Sequence, residues 1–449
     1  MNPSSDNLRI AKGAWLYLVA AASGMLLAFV GRLLLARFYT QSEFGVFTLA
    51  WIVLNFGSLV ALLGFQESST RQIAYHRSRN ETDEAAILVR KTLILITITS
   101  TLIAIAIFLT SPLIASGLNE PRLADVLKMF AIAIPLLALT HLLAAIFRGF
   151  GQVKPKIIFF DLMRNGLFPL LLLPFGLLGV SFLPSMSSLL LACTITATTF
   201  LAYARKKLPQ SKKPVDVKLK PLITFSLPVL VLVVSSTIVS WTDTVMLGYF
   251  KTSDIVGLYN GAWSVAQLLL LPVAAISFLF LPKAATLHEQ GQISELKRSY
   301  TVTTRWIFGL AMPILITFLL FPKPLLSLLF GPTYIGAHNV LRLLSIAYAF
   351  HFLFGPAHSM LTATGKTKSL LAASLLGVSL NICLNYFLIP TWGIMGASTA
   401  TVASFLLMYG LLALRLKAIG LHPFGRDWYK WAPEDVQIFQ YIIRRTKTK

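Results

Sequence analysis

Long apolar runs limit what this chain can fold into more than any other feature. About twelve of them are long enough for a helix that crosses the hydrocarbon core of a bilayer, which takes about 20 residues. Only 12% of the residues are charged, whereas soluble domains carry about 25%. The sequence therefore predicts an all-α integral membrane protein with about 12 transmembrane helices. The predicted spans are 13–36, 44–64, 87–110, 123–148, 157–179, 182–204, 222–248, 256–280, 300–322, 338–364, 369–389 and 394–416.

Positive charge is distributed unevenly along the chain. In a soluble protein, a net charge of +22 would suggest a nucleic-acid partner. Here most Lys and Arg residues lie in segments that share one side of the membrane, such as 71–91, 205–220 and the tail from Arg415. Cytoplasmic loops of membrane proteins carry this bias. We therefore expect a multi-pass protein of the cytoplasmic membrane with both termini in the cytoplasm, anionic lipids at its inner surface and no nucleic-acid partner.

An internal repeat organises the chain. Gly45 aligns with Gly257 at an offset of 212 residues, and Gly151 aligns with Gly365 at an offset of 214. These matches indicate duplication of a six-helix unit. Because six is even, both copies enter the membrane in the same orientation, as in transporters built from parallel repeats. We expect two six-helix lobes related by a pseudo-twofold axis along the membrane normal, with substrate bound between them.

The repeat also predicts domain boundaries. Spans 1–6 form an N-lobe at residues 1–208, and spans 7–12 form a C-lobe at residues 222–416. The basic segment 209–221 is the expected cytoplasmic linker. The tail 417–449 combines tryptophans, an amphipathic stretch and a basic end. That composition predicts a helix that lies on the cytoplasmic surface of the membrane.

Ionisable residues within membrane spans are costly and are functional candidates by default. Six such residues stand out, four cations and two carboxylates, and together they carry an excess of positive charge. A cavity with that balance attracts anionic groups such as phosphates and repels organic cations. The six residues are Arg32, Lys128, Asp161, Arg164, Asp243 and Arg342.

These residues also have structural alternatives. In this alternative, the long side chains of Arg32, Lys128 and Arg342 lie near span ends and reach the membrane interface. Lys128 and Arg342 are equivalent in the repeat. Asp161 is only three residues from Arg164, so these two side chains can form a structural ion pair. We expect Asp243 to pair with Arg32 across the lobes, as a gate or as part of the cavity.

Other polar residues within the spans carry weaker predictions. His141, His351 and His358 can relay protons for gating or ion coupling, or they can be satisfied core histidines. Asn381 and Asn385 lie one helical turn apart. They can line the cavity and hydrogen-bond sugar hydroxyls, or they can hydrogen-bond between helices as structural groups.

The sequence lacks the residues that several classes of function require. The sequence ATGKTK at 363–368 contains Gly-Lys-Thr, but Met360 occupies the position of the first glycine of a P-loop. No nucleotide cofactor is therefore expected, and the two cysteines in apolar runs suggest neither a disulfide nor a metal site. No soluble insertion is long enough for a catalytic domain, so we expect a protein that is not an enzyme.

Four stretches resemble a known family. They are LLARFYTQSEFGVFTLA at 34–50, DTVMLGYFKTSDIVGLYNGA at 243–262, LLFGPTY at 328–334 and NYFLIPTWGIMGASTATVASF at 385–405. They are similar to motifs of the polysaccharide flippases in the MOP (multidrug/oligosaccharidyl-lipid/polysaccharide) exporter superfamily. The resemblance extends over the whole membrane portion. Many relatives have fourteen spans, which leaves the subfamily open.

The resemblance implies a V-shaped pair of lobes that open alternately to the two sides of the membrane. The implied cargo is a glycan linked to a polyprenyl phosphate or pyrophosphate. By analogy with the family, the phosphates would be held by Arg32, Lys128, Arg164 and Arg342. The implied partners are membrane lipids and the glycosyltransferases or polymerase of the same pathway, around a monomeric transporter. Two alternatives remain: a drug/cation antiporter of the same superfamily, which needs unpaired carboxylates, and a membrane scaffold that transports nothing.

Overall fold

The computed structural model describes residues 3–211 and 220–421. Helices make up nearly all of these residues, and no strand occurs among them. The predicted all-α fold is confirmed. The α-helices are α1 (Pro3–Phe38), α2 (Gln41–Ala61), α3 (Phe65–Ser78), α4 (Thr82–Gly117), α5 (Leu123–Gly149), α6 (Arg164–Leu177), α7 (Phe182–Ser185), α8 (Ser187–Lys207), α9 (Lys220–Phe250), α10 (Ser253–Ala266), α11 (Leu270–Glu289), α12 (Ile293–Leu320), α13 (Pro322–Phe330), α14 (His338–Leu353), α15 (Ala357–Ala363), α16 (Thr367–Trp392) and α17 (Ile394–Ala418). A π-helix, Lys156–Met163, leads into α6, and 3₁₀ segments occupy Gln267–Leu269 and Pro332–Ala337.

Eleven helical segments of the described residues are long and apolar enough to cross a membrane. The twelfth predicted span, 222–248, falls within α9, which has 31 residues. Several helices extend beyond the predicted limits; α4, for example, runs from Thr82 to Gly117 around the predicted span 87–110. A helix can continue past the hydrocarbon core because its backbone hydrogen bonds are internal. The predicted tail helix lies outside the described residues, as does most of the predicted linker 209–221.

Contacts divide the chain into two compact units. The first unit consists of the described parts of 1–264, 326–337 and 389–394, and the second of the described parts of 265–325, 338–388 and 395–449. By contacts, α9 and most of α10 belong to the first unit, whereas the repeat assigns them to the second lobe. Contacts and sequence repetition are different criteria, so the lobe boundaries stay a prediction.

Each unit has its own apolar core. In the first unit, α5 is buried on most of its surface and packs against α2, α3, α4 and α8. Leu142 and Phe147 of α5 are fully buried members of this core. In the second unit, the buried residues Tyr300, Met360 and Leu412 form the equivalent core. Side chains such as Leu113 are exposed, and a long apolar surface of this kind is typical of helices that face lipid.

The start of α2 brings this helix close to α10. Thr40 caps the helix: its Oγ1 accepts a hydrogen bond from the Glu43 N–H at 3.3 Å, and the Glu43 carboxylate accepts one from the Thr40 N–H at 2.8 Å. This reciprocal capping box fixes where the helix begins. Gly45 is the fifth residue of α2, and its missing side chain lets α10 approach the α2 backbone.

Candidate functional site

A pocket in the first unit is formed by side chains of α1, α2, α9 and α10. Aromatic rings make up much of its wall, and a few polar groups interrupt them. Ligand sites are commonly built in this way. The lining residues are Arg32, Phe44, Phe47, Thr48, Trp51, Ile52, Trp241, Asn260, Trp263 and Ser264.

Arg32 supplies the positive charge of this pocket. Its guanidinium carbon lies 5.4 Å from the centre of the Trp263 ring, a cation–π distance. The neighbouring Gly31 lets α1 approach α6 closely, because a Cβ there would lie 2.9 Å from Phe168 Cδ1. Phe168 in turn stacks on Phe47 with ring centres 5.7 Å apart. Arg32 is therefore held on a packed aromatic wall, where a guanidinium suits a phosphate because of its planar set of donors.

Asp243 is tied to α10. Its Oδ2 accepts a hydrogen bond from the hydroxyl of Tyr259 at 2.7 Å. One residue further along both helices, Thr244 Oγ1 donates to Asn260 Oδ1 at 3.2 Å. Two adjacent polar contacts thus join α9 and α10 beside the pocket. The predicted pairing of Asp243 with Arg32 stays a prediction.

The π-helix brings a second set of predicted residues together. Asp161 is buried, with 8% of its surface exposed, and its Oδ2 lies 3.7 Å from Lys156 Nζ. Arg164, the predicted partner, instead donates to Asn165 Oδ1 at 3.2 and 3.3 Å. The ion pair of Asp161 is therefore with Lys156. The physical reason is the wider turn, which places residues five apart, such as 156 and 161, on the same side of the helix.

Phe160 connects the charges of the π-helix to His141. The Arg164 guanidinium lies 4.3 Å and Lys156 Nζ 5.8 Å from the centre of its ring. The His141 ring packs edge-on against Phe160 at 4.6 Å. Gln66 Nε2 donates to His141 Nδ1 at 3.2 Å, and this bond places the proton of a neutral imidazole on Nε2. The predicted residues 141, 161 and 164 therefore form one cluster, here called the π-helix cluster.

Lys128 and Arg342 lie outside both sites. Lys128 Nζ lies 3.2 Å from Asp125 Oδ1, and these side chains are 41% and 61% exposed. Arg342, in the second unit, is exposed and donates to the Leu319 carbonyl at 3.0 Å, near the end of α12. A cation next to the last carbonyls of a helix is favourable because of the helix dipole. Both environments match the structural alternative, in which the side chains reach the interface.

The remaining predicted residues lie within the second unit. His351 Nδ1 forms a hydrogen bond with the Tyr409 hydroxyl, and the His358 ring stacks beside His351 at 6.3 Å. Asn385 Nδ2 donates to Asn381 Oδ1 at 3.0 Å, and both asparagines are buried. The asparagines thus bond to each other along one helix, which satisfies part of their polarity without a ligand.

Sequence reasoning missed the tryptophans of the pocket and Lys156. Trp51 and Trp263 lie at the same offset of 212 residues as Gly45 and Gly257, so the repeat contained a signal for them. Lys156 lies one residue before the predicted span 157–179, where a cytoplasmic position was expected. Only the π-helix turns this lysine toward Asp161.

Comparisons with known proteins place the chain among membrane transporters. The sequence model of a family described as polysaccharide biosynthesis protein matches residues 10–283, and that of the MatE family matches residues 228–387. The probable low-salt glycan biosynthesis flippase Agl15 of Haloferax volcanii is 25% identical over 403 residues, covering 88% of this chain and 81% of the relative. The putative O-antigen transporter of Shigella flexneri is 24% identical over 373 residues, covering 81% of this chain and 87% of the relative.

A solved structure has the same fold. The structure of the lipid II flippase MurJ superposes with a TM-score of 0.71 at 14% identity, covering 96% of this chain and 92% of the other. At this identity the similarity concerns the fold alone. It agrees with the helical membrane architecture described above.

Proposed function

The chain belongs to the polysaccharide biosynthesis protein family, and from this premise we propose that it translocates a lipid-linked glycan across the cytoplasmic membrane by alternating access. The cargo is a polyprenyl phosphate or pyrophosphate that carries an oligosaccharide or a polysaccharide precursor. The names of the two relatives, a glycan biosynthesis flippase and an O-antigen transporter, support this class of substrate. The protein moves its cargo without changing it and is a transporter rather than an enzyme.

The observation that carries the proposal is the position of Arg32 in the aromatic pocket. Electrostatic interactions are stronger in a site of low effective dielectric constant than in water. The guanidinium also presents several N–H groups in one plane and can bind two phosphate oxygens at once. A phosphate that enters this pocket therefore gains both charge neutralisation and orientation from one residue.

The π-helix cluster supports the same choice of an anionic cargo. Lys156 and Arg164 supply two positive charges next to the single carboxylate of Asp161. Together with Arg32 and Asp243 in the pocket region, the first unit keeps an excess of positive charge in its spans. We propose Arg164 as a second phosphate contact and Asp161, Asp243 and His141 as gating or coupling residues. The substrate contacts predicted from the sequence for Lys128, Arg342, Asn381 and Asn385, and the coupling role predicted for His351, stay predictions. Their contacts described above favour the structural alternatives.

A drug/cation antiporter is the second candidate, because the MatE family model matches residues 228–387. That function needs a carboxylate that is available to protons and cations. Asp161 is in an ion pair with Lys156, and Asp243 accepts a hydrogen bond from Tyr259. These contacts favour the flippase over the antiporter, and the charge excess favours it over a scaffold without transport.

The experiment measures flipping directly. The full-length protein is reconstituted into vesicles with a fluorescent short-chain polyprenyl pyrophosphate oligosaccharide, and the fraction of probe that reaches the opposite leaflet is followed by quenching from outside. We expect Arg32→Ala to abolish flipping, and Arg32→Lys to retain part of it because the charge is kept. Arg90→Ala, at an exposed position of α4, is the matched control and should flip at the wild-type rate. Vesicles that flip no lipid but take up an organic cation would contradict the proposal and favour the antiporter.

The cellular setting follows from the proposed cargo. We place the protein in the cytoplasmic membrane with both termini in the cytoplasm, where lipid-linked glycans are assembled before export. The glycosyltransferases or polymerase of the same pathway are the expected neighbours. The proposed transporter is a monomer, since a single chain carries both copies of the repeat.

A further inference from the structure

The pocket around Arg32 is built on the internal repeat. Six of its lining residues form three pairs of equivalent positions at the offset of 212 residues that also relates Gly45 to Gly257. Within these pairs, each copy of the repeat contributes one indole and two smaller side chains. The pairs are Thr48 with Asn260, Trp51 with Trp263, and Ile52 with Ser264.

The second copy makes its side of the pocket more polar. Where the first copy has Ile52, the second has Ser264, which is 2% exposed and whose Oγ has no hydrogen-bond partner. A buried hydroxyl without a partner is costly, and most such groups in folded proteins are paired. An unpaired hydroxyl in the wall of a pocket is therefore a group for which a ligand can supply the partner.

We propose that this pocket, here called the tryptophan pocket, binds a sugar ring of the cargo, next to the phosphate that Arg32 holds. The inference rests on the proposed function and names the part of the cargo that enters this site. A pyranose ring has faces of C–H groups and a rim of hydroxyls. Its faces pack against the indoles of Trp51 and Trp263, and a rim hydroxyl meets Ser264.

Other ligand classes fit these residues less well. A prenyl chain would pack on the indoles but would leave Ser264 Oγ buried without a partner, which is unfavourable. An organic cation would stack on tryptophan but would meet the positive charge of Arg32. A bare phosphate gains nothing from the indole rings. A sugar attached to a phosphate uses the aromatic faces, the hydroxyl and the cation together.

Binding measurements with two lipids test this inference. The full-length protein in nanodiscs is titrated with a short-chain polyprenyl phosphate and with the same lipid bearing one hexose. We expect the wild type to bind the hexose lipid more tightly. Trp51→Ala or Trp263→Ala should weaken binding of the hexose lipid about tenfold, the order expected for one lost stacking contact. Trp51→Ala should change binding of the bare lipid by no more than about twofold. Ser264→Ala should weaken binding of the hexose lipid and leave binding of the bare lipid unchanged.

The control is Trp392→Ala, because Trp392 is 59% exposed and does not line the pocket. This variant should bind both lipids like the wild type. Equal affinity of the wild type for the two lipids, or equal losses for both lipids in Trp51→Ala, would overturn the sugar site and leave the flippase proposal standing. If the wild type binds neither lipid, the proposed function fails and the sugar site fails with it.

Discussion

Gly45 and Gly257 pack against each other's helices where α2 and α10 cross. A Cβ at Gly45 would overlap the carbonyl oxygen of Ser253, and a Cβ at Gly257 would overlap that of Gln41. Each Cβ would also come within 3.0 or 3.1 Å of the other glycine's nitrogen. Gln41 and Ser253 are themselves equivalent in the repeat, at the same offset of 212. The contact is thus reciprocal, as expected at a pseudo-twofold axis.

We expect Gly45→Ala to destabilise the protein by about 2 kcal/mol, since the new methyl group meets backbone atoms that cannot rotate away. Gly257→Ala should cost a similar amount, and the double variant should cost less than the sum because one separation of the helices accommodates both methyl groups. Thermal unfolding of the purified protein measures these effects. Gly309→Ala, at a helix position with open space around it, is the control and should be neutral or slightly stabilising. An unchanged Tm in Gly45→Ala would contradict the close crossing.

Glu120 links the loop after α4 to the start of α10. Its carboxylate accepts hydrogen bonds from Arg122 at 2.9 and 3.1 Å and from the Ser253 hydroxyl. Ser42 completes the network, since it contacts both Arg122 and Ser253. Burial alone would raise the pKa of Glu120, but these hydrogen bonds and the charge of Arg122 outweigh it, so the pKa lies below its usual value. The carboxylate is therefore stabilised in the folded protein.

This network predicts how stability depends on pH. Because the folded pKa of Glu120 is lowered, its contribution is complete above the unfolded pKa, about 4.3, and is lost as pH falls through the folded value. Glu120→Gln should lower stability by about 2 kcal/mol at neutral pH and should weaken the loss of Tm with acidification below about pH 4.5. Melting curves across pH check both effects. Glu295→Gln, at an exposed position, should melt like the wild type. The same acid dependence in Glu120→Gln and the wild type would argue against this role of Glu120.

The Lys156–Asp161 pair predicts a strong energetic coupling. Lys156→Met leaves the buried carboxylate of Asp161 without its ion-pair partner, and such a loss typically costs about 3 kcal/mol. Adding Asp161→Asn removes the buried charge, so the double variant should recover much of that stability. A double-mutant cycle from thermal unfolding measures the coupling. If the effects of the two substitutions simply add, the pair does not stabilise the π-helix.

The hydrogen bond between His351 and Tyr409 gives a test of the predicted proton relay. This pair lies in the core of the second unit, where a structural role is the simpler explanation. We expect Tyr409→Phe and His351→Gln each to lower stability by about 1 kcal/mol. Both variants should keep the response of lipid flipping to an imposed pH gradient. Loss of that response with unchanged Tm would instead assign His351 to ion coupling.

The sequence predicted the features that depend on many residues together, namely the membrane spans and the internal repeat. The length of each apolar run predicted a membrane span, because crossing a bilayer takes about 20 helical residues whatever the order of the apolar side chains. The repeat was visible because its glycines have backbone roles that no other residue fills. Gly151 and Gly365, aligned in the sequence, both have positive φ angles, 73° and 69°, at the turns that follow α5 and α15.

The pairing of individual charges was not predictable in the same way. The expected neighbours of Asp161 assumed an α-helix, in which residues three apart are adjacent, whereas the π-helix brings Lys156 to it instead. The tryptophan pocket likewise depends on which faces of α2 and α10 meet. Trp51 and Trp263 could be paired from the repeat, but only packing shows that both line one pocket.

Lys128 and Arg342 provide the last test, because the sequence placed them with Arg32 and the structure gives them other contacts. Lys128 contacts Asp125 at an exposed position, and Arg342 donates to the Leu319 carbonyl. Exposed ion pairs contribute about 0–1 kcal/mol, so Lys128→Ala should keep stability and at least half of the wild-type flipping rate. Arg342→Ala should lower Tm slightly, because the end of α12 loses a donor, and should also keep most of the flipping rate. Flipping assays on both variants beside Arg32→Ala measure the contrast. A loss as large as that of Arg32→Ala in either variant would restore that residue to the phosphate site, since neither present contact involves the pocket.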